Sequence, residues 1–90
     1  MSSVRMHVRA RGRVQGVFFR AEARARAESL GVAGWIRNAE DGSVEAVFEG
    51  EPEQVESMVD WCRRGPAGAR VEELDVEPEE PDGENGFRVR

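Results

Sequence analysis

The chain has 90 residues, of which 39% are hydrophobic and 34% charged, with a formal net charge of −5. This is the length of one domain, apolar enough to bury a modest core and too apolar for a disordered segment. The acidic balance argues against general nucleic-acid binding, no apolar run reaches membrane-spanning length, and one Cys with one His leaves neither a zinc cluster nor an internal disulfide.

Val4, Met6, Val8 and Ala10 alternate with Arg5, His7, Arg9 and Arg11. This predicts a half-buried strand from Val4 to Ala10, with His7 on its wet face. The stretch Gly12-Arg13-Val14-Gln15-Gly16-Val17-Phe18-Phe19-Arg20 then leads into a helix predicted from Arg20 to Leu30. Glycine permits positive φ, so successive N–H groups can converge on one point. The start of a helix adds unpaired N–H groups and partial positive charge, and Arg20 adds a full charge on a planar fork of donors. Together these features describe a cradle for a small anion such as a phosphoryl group, with backbone donors from Gln15, Gly16, Val17, Phe18, Phe19 and Arg20. An arginine is unfavourable at the positive end of a helix dipole, and an anion partner gives Arg20 a reason to be there. The side chains of Phe18 and Phe19 read as packing groups.

On the first helix Ala23, Ala27 and Leu30 form an apolar stripe extending back to Phe19, and Gly31 ends it. Strands are predicted from Val32 to Ala39 and from Ser43 to Glu49, joined by a turn at Glu40-Asp41-Gly42. Asn38 stands just before this turn. From the residue alone it is either a common turn residue or an amide that holds a water. A second helix follows Gly50, with Pro52 in its first turn and a core stripe of Val55, Met58, Val59 and Cys62. Trp61 covers the edge of that stripe, and Gly65-Pro66 ends the helix. Cys62 reads as a small buried hydrophobe; it fits a reducing compartment, and the N-terminus lacks a signal-peptide pattern, so a cytoplasmic protein is expected. A fourth strand is predicted from Val71 to Glu77 with a bulge, then a mobile acidic loop from Pro78 to Gly86, then a short strand at Phe87 and Val89. The order β-α-β-β-α-β plus a terminal strand predicts an α+β, ferredoxin-like sandwich over residues 1–90 as a single domain. Two helices would cover one face of a largely antiparallel sheet, and the other face would meet water.

The stretch GRVQGVFFR, residues 12–20, resembles the first signature of the acylphosphatases. Gly34-Trp35-Ile36-Arg37-Asn38, followed by Asp41-Gly42-Ser43-Val44 and Gly50, resembles their second. The resemblance covers nearly the whole chain and implies the same fold. It also implies hydrolysis of acyl phosphates without metal or cofactor, with Arg20 holding the phosphoryl group and Asn38 orienting the attacking water. A cytoplasmic monomer is expected, acting on a small-molecule acyl phosphate, with inorganic phosphate as product and inhibitor and with no nucleic acid or membrane as partner. The residues themselves point the same way. A cradle with one Arg, no metal-ligand cluster and no evident general acid needs a leaving group that departs unaided, as a carboxylate does. Two rivals are an RNA-binding module, for which the Arg5, His7 and Arg9 face lacks a pair of stacking aromatics, and a domain of a larger maturation enzyme. Nothing in the sequence addresses the acyl group, which implies loose acyl specificity.

Overall fold

The alternation that begins at Val4 carries the first strand further than its apolar positions predict. In the computed structural model, which describes residues 2–90, β1 spans Val4–Arg13. It is followed by α1 (Phe19–Leu30), β2 (Ala33–Asn38), β3 (Val44–Gly50), α2 (Pro52–Cys62), β4 (Arg70–Glu79) and β5 (Phe87–Val89). The strand order is β4-β1-β3-β2-β5. β1 pairs antiparallel with β3 and β4, β2 pairs antiparallel with β3, and β5 lies parallel to β2. This is the ferredoxin-like α+β sandwich expected, with a short additional strand beside β2.

Gly12 departs from its expected place. It belongs to β1 and not to the loop, at a register shift between Arg11 and Gly12 where β1 meets β4. Its φ is +127°, and a Cβ there would stand 2.3 Å from the Arg70 carbonyl oxygen. Gly12 therefore serves a close approach of two strands. The shift also accounts for the broken alternation in β4, whose length exceeds the predicted Val71 to Glu77 at both ends.

One face of the sheet and the two helices enclose the core. Val8, Ala10, Ile36, Val44, Ala46 and Phe48 meet Phe19, Ala23 and Ala27 of α1 and Val55, Met58, Val59 and Cys62 of α2. Ala23 and Ala27 have no exposed surface, so α1 lies close on the sheet. Trp61 packs edge-on against Phe19 at 5.2 Å between ring centroids and joins the two helices. Burial pushes the Cys62 thiol up to about 12, which makes it a packing group and not a nucleophile.

The opposite face does not simply meet water. Arg5, His7 and Arg9 of β1 stand beside acidic residues of the neighbouring strands. The Arg5 guanidinium reaches Glu49, Glu79 and Glu84 at 2.9, 2.9 and 3.1 Å. His7 Nε2 lies 2.6 Å from Glu45 Oε2, and Arg37 Nε donates to Glu45 Oε1 at 2.7 Å. Glu45, Val47 and Glu49 are buried beneath this layer. Burial alone would raise the Glu45 carboxyl; the His7 ring and the Arg37 and Arg9 guanidiniums hold it below the ordinary range.

The acidic segment after β4 is tied to the same layer, contrary to the mobile loop expected. The Glu49 carboxylate accepts backbone N–H bonds from Asp82, Gly83 and Glu84 at 3.0, 2.8 and 3.1 Å. Burial pushes this carboxyl up, but those N–H groups and Arg5 outweigh it, and the net shift is downward. A lowered folded pKa contributes stability above the unfolded value of 4.5, which is lost as pH falls through the folded value. The urea midpoint should therefore hold steady above pH 5 and fall below about pH 4.5. Glu49→Ala should lower stability at neutral pH by about 1–3 kcal/mol and make the acid limb shallower. Urea titrations of both proteins from pH 7 to pH 3 test this, and equal acid limbs would show that Glu49 is not a major contributor.

Candidate active site

The loop from Val14 to Phe18 leaves the end of β1 and turns into α1. Gly16 has φ +75° and Phe18 has φ +64°, so two left-handed residues flank Val17. For glycine this costs little, but for phenylalanine it stores on the order of 1–3 kcal/mol of strain. Phe18 is also the N-cap of α1, and it makes no side-chain capping bond. Ser, Thr, Asp or Asn would ordinarily satisfy those first N–H groups. Here no backbone N–H from Gln15 to Arg20 donates to another described residue. The loop thus ends in a helix start whose donors are open to a ligand.

A cleft of about 530 Å³ lies over this start, lined by Val14, Gly16, Phe18, Phe19, Arg20, Ala21, Arg24, Asn38 and Val89. Among the described residues Arg20 has no hydrogen-bond or salt-bridge partner, whereas Arg24 pairs with Glu28. Asn38 is the last residue of β2, opposite Val44 on β3, on the sheet face shared with Ile36. Its side-chain amide likewise has no partner among the described residues. Cleft-lining side chains include no carboxylate, imidazole or thiol. The chemistry available here is anion binding and the positioning of a neutral molecule, not proton transfer by a strong acid or base.

The structure brings Arg20, Asn38, Gly16, Phe18 and Phe19 to one cleft. The Gln15 and Val17 side chains do not line it, although their backbone N–H groups, like the rest of the loop, donate to no other described residue. Val17 packs on the core. Gln15 has a part that the sequence did not disclose: its Nε2 donates to Ala39 O at 2.8 Å and to Ser43 O at 3.0 Å. That amide joins the cradle loop to the turn that follows Asn38. Phe18 and Phe19 also part company. Phe19 is buried as expected, but Phe18 is 78% exposed and faces the cleft, so it is not a packing group.

The β2–β3 turn that carries Asn38 has its own clamp. Asp41 Oδ1 accepts from the Ser43 N–H at 3.0 Å and from the Ser43 hydroxyl at 2.6 Å. Arg9 Nη1 donates to Ser43 Oγ at 2.7 Å, and Arg11 Nη1 to Asp41 Oδ2 at 3.1 Å. The Ser43 hydroxyl and N–H, then the two arginines, hold the Asp41 carboxyl down at about 2. The charged face of the sheet thereby reaches the turn that follows Asn38.

Fold and cleft together define a small ferredoxin-like domain with a candidate site where an uncapped helix start, an arginine and a carboxamide line one cleft. A solved acylphosphatase from Coxiella burnetii has this architecture, with a TM-score of 0.93 at 38% identity over 98% of this chain and 93% of that one. The acylphosphatase family model matches residues 6–89. Among curated relatives, an acylphosphatase of Roseiflexus sp. is 58% identical over 90 residues, covering 99% of this chain and 97% of the relative. One of Haloarcula marismortui is 52% identical over 90 residues, covering 100% and 99%. The chain belongs to the acylphosphatase family.

The turn clamp is open to direct measurement. A carbon-detected NMR titration should place the Asp41 carboxyl at about 2, against an ordinary 3.8, so that its bonds persist above pH 3.8 and are lost as pH falls through about 2. Ser43→Ala removes the hydroxyl donor and should move the value back toward 3.8. A wild-type value of 3.8 would show that the clamp does not persist in solution.

Proposed function

We propose that this protein is an acylphosphatase that cleaves the carboxyl–phosphate bond of acyl phosphates, with Arg20 and Asn38 as its catalytic residues. One observation carries the reading: a single cleft brings an unpaired arginine, open helix-start N–H groups and an unpaired carboxamide together, with no acid or base beside them. The N–H groups of the loop from Gln15 to Arg20 and the Arg20 guanidinium hold the phosphoryl oxygens. They stabilise the charge on those oxygens in a loose transition state. Asn38 orients a water in line with the bond that breaks. The water oxygen bonds to phosphorus, the phosphorus–oxygen bond to the acyl group breaks, and the acyl carboxylate leaves with the bonding pair. The proton of the water passes to a phosphoryl oxygen, which gives carboxylate and inorganic phosphate. A carboxylate needs no proton to depart, which fits a cleft without a general acid. The lining offers no ligand set for a divalent cation, so turnover should proceed in EDTA.

In this reading the 90 residues work as one domain, the enzyme is a cytoplasmic monomer, and inorganic phosphate inhibits by occupying the cradle. Support comes from the cleft being completed by residues of one chain, from the loop after β1, α1, β2 and β5. No helix of the described residues is long and apolar enough to cross a membrane.

Benzoyl phosphate hydrolysis, followed with and without EDTA and with added phosphate, tests the activity. Phosphate should inhibit competitively; purely noncompetitive inhibition would move the cradle elsewhere. Arg20→Gln should weaken substrate and phosphate binding as well as turnover, because Arg20 holds the phosphoryl group in ground and transition states. Asn38→Ala should cut kcat on the order of 10²-fold with little change in KM or in phosphate inhibition. A folded Asn38→Ala enzyme that keeps most of its turnover would return Asn38 to a turn residue.

Gln15 gives a separate prediction. Gln15→Ala removes both bonds to the turn and should lower Tm by roughly 4–8 °C, as expected for the loss of about 1 kcal/mol. It should lower kcat about tenfold more than that instability explains, because the cradle and Asn38 lose their common brace. Thermal melts beside kinetics at a temperature where the variant is fully folded separate the two effects.

A further inference from the structure

The cleft extends past the phosphoryl cradle. Phe18, Val89 and Arg24 line its remaining part. Phe18 and Val89 are the large hydrophobic side chains left exposed among the described residues, at 78% and 38%. One comes from the N-cap of α1 and the other from β5, and the cleft is where they meet. An exposed aromatic held on strained backbone has no role in the core. Beside a reactive phosphoryl group, such a pair offers apolar walls for a short carbon chain.

Arg24 adds charge to this end. It follows Arg20 by four residues on α1, so the two side chains leave one helix face a turn apart, about 6 Å along the axis. Arg24 Nε donates to Glu28 Oε2 at 3.2 Å, in a pair more than half exposed at both partners. The terminal Nη groups of Arg24 have no partner among the described residues. They form a planar fork that matches a carboxylate. The Glu28 pair is a weak surface contact, and a ligand can share or displace it.

We propose that this part of the cleft is an acyl subsite in which Phe18 and Val89 flank the carbon chain and Arg24 receives a carboxylate at its far end. This rests on the acylphosphatase reading above. The favoured substrate class is the monoacyl phosphate of a short dicarboxylic acid. A four-carbon chain spans the roughly 6 Å between the two arginine positions. Arg24 is then a specificity-determining residue, and acyl selection is not loose.

Succinyl phosphate and butyryl phosphate have acyl chains of equal length, and only the first ends in a charge. The quantity to measure is the ratio of their kcat/KM values. For wild type it should be roughly fivefold in favour of succinyl phosphate at low ionic strength, falling toward one in about 0.5 M KCl. Arg24→Gln should bring the ratio close to one, and Arg24→Glu should take it below one. Glu28→Gln frees the guanidinium and should raise the ratio. Circular dichroism verifies that each variant is folded, which exposed positions on a helix surface favour. A wild-type ratio of one, or a high ratio that survives Arg24→Gln, overturns the subsite and leaves the hydrolase reading standing. Wild type that hydrolyses neither substrate overturns the hydrolase reading itself.

Discussion

Two hydrogen bonds from one amide nitrogen hold the halves of the cleft together. Gln15 Nε2 donates to Ala39 O and Ser43 O, and so ties the loop before α1 to the turn after β2. Everything at the cleft depends on that junction, because Arg20 stands beyond the loop and Asn38 stands before the turn. Neither half is rigid on its own account. A loop with left-handed residues at Gly16 and Phe18 holds strain that the surrounding structure must maintain, and a hairpin turn is an ordinary place for motion. The carbonyls that accept from Gln15 are fixed in turn by the Asp41–Ser43 clamp and its arginines.

The charged face of the sheet is the base of this bracing. In a domain of this size, one helical layer on one sheet gives only one apolar core. The second face is closed with paired charges instead, dense enough to bury Glu45, Val47 and Glu49. Net stabilisation from such pairs is modest, but breaking one leaves an uncompensated charge, so the arrangement resists rearrangement more than it adds free energy. Arg9 shows the link to the cleft, since it faces both Glu45 in the middle of the sheet and Ser43 in the turn. The same face weighs against the RNA-binding alternative. Its arginines and His7 are engaged by carboxylates, and Trp35 is covered by the Arg90 guanidinium at 4.4 Å.

Periodicity carried most of the architecture. The stripes Ala23–Ala27 and Val55–Met58–Val59–Cys62 are buried as the 3.6-residue repeat requires, and all seven elements were anticipated in order. The juxtaposition of the loop with Asn38 was legible through paired motifs, not through spacing. What escaped has a common physical character. Gln15 and Glu49 act on backbone groups, and a backbone N–H or carbonyl has no signature in the sequence. Gly12 was read as loop because a glycine that admits a neighbouring strand looks the same as one that turns a chain. Phe18 and Phe19 are adjacent and alike, and only the point at which the helix begins decides which is buried. Val89 reaches the cleft because β5 lies parallel to β2, a pairing between distant segments that no local pattern announces.

The absence of a capping side chain at Phe18 also bears on time scales. The amide hydrogens from Gln15 to Arg20 have no acceptor among the described residues, while those on either side lie in a long strand and a helix. In deuterated solvent they form a gap of fast exchange between two slow segments. An anion seated on them would close that gap without altering the fold. Occupancy of the cleft would therefore leave a footprint in amide exchange rates, legible residue by residue and without turnover.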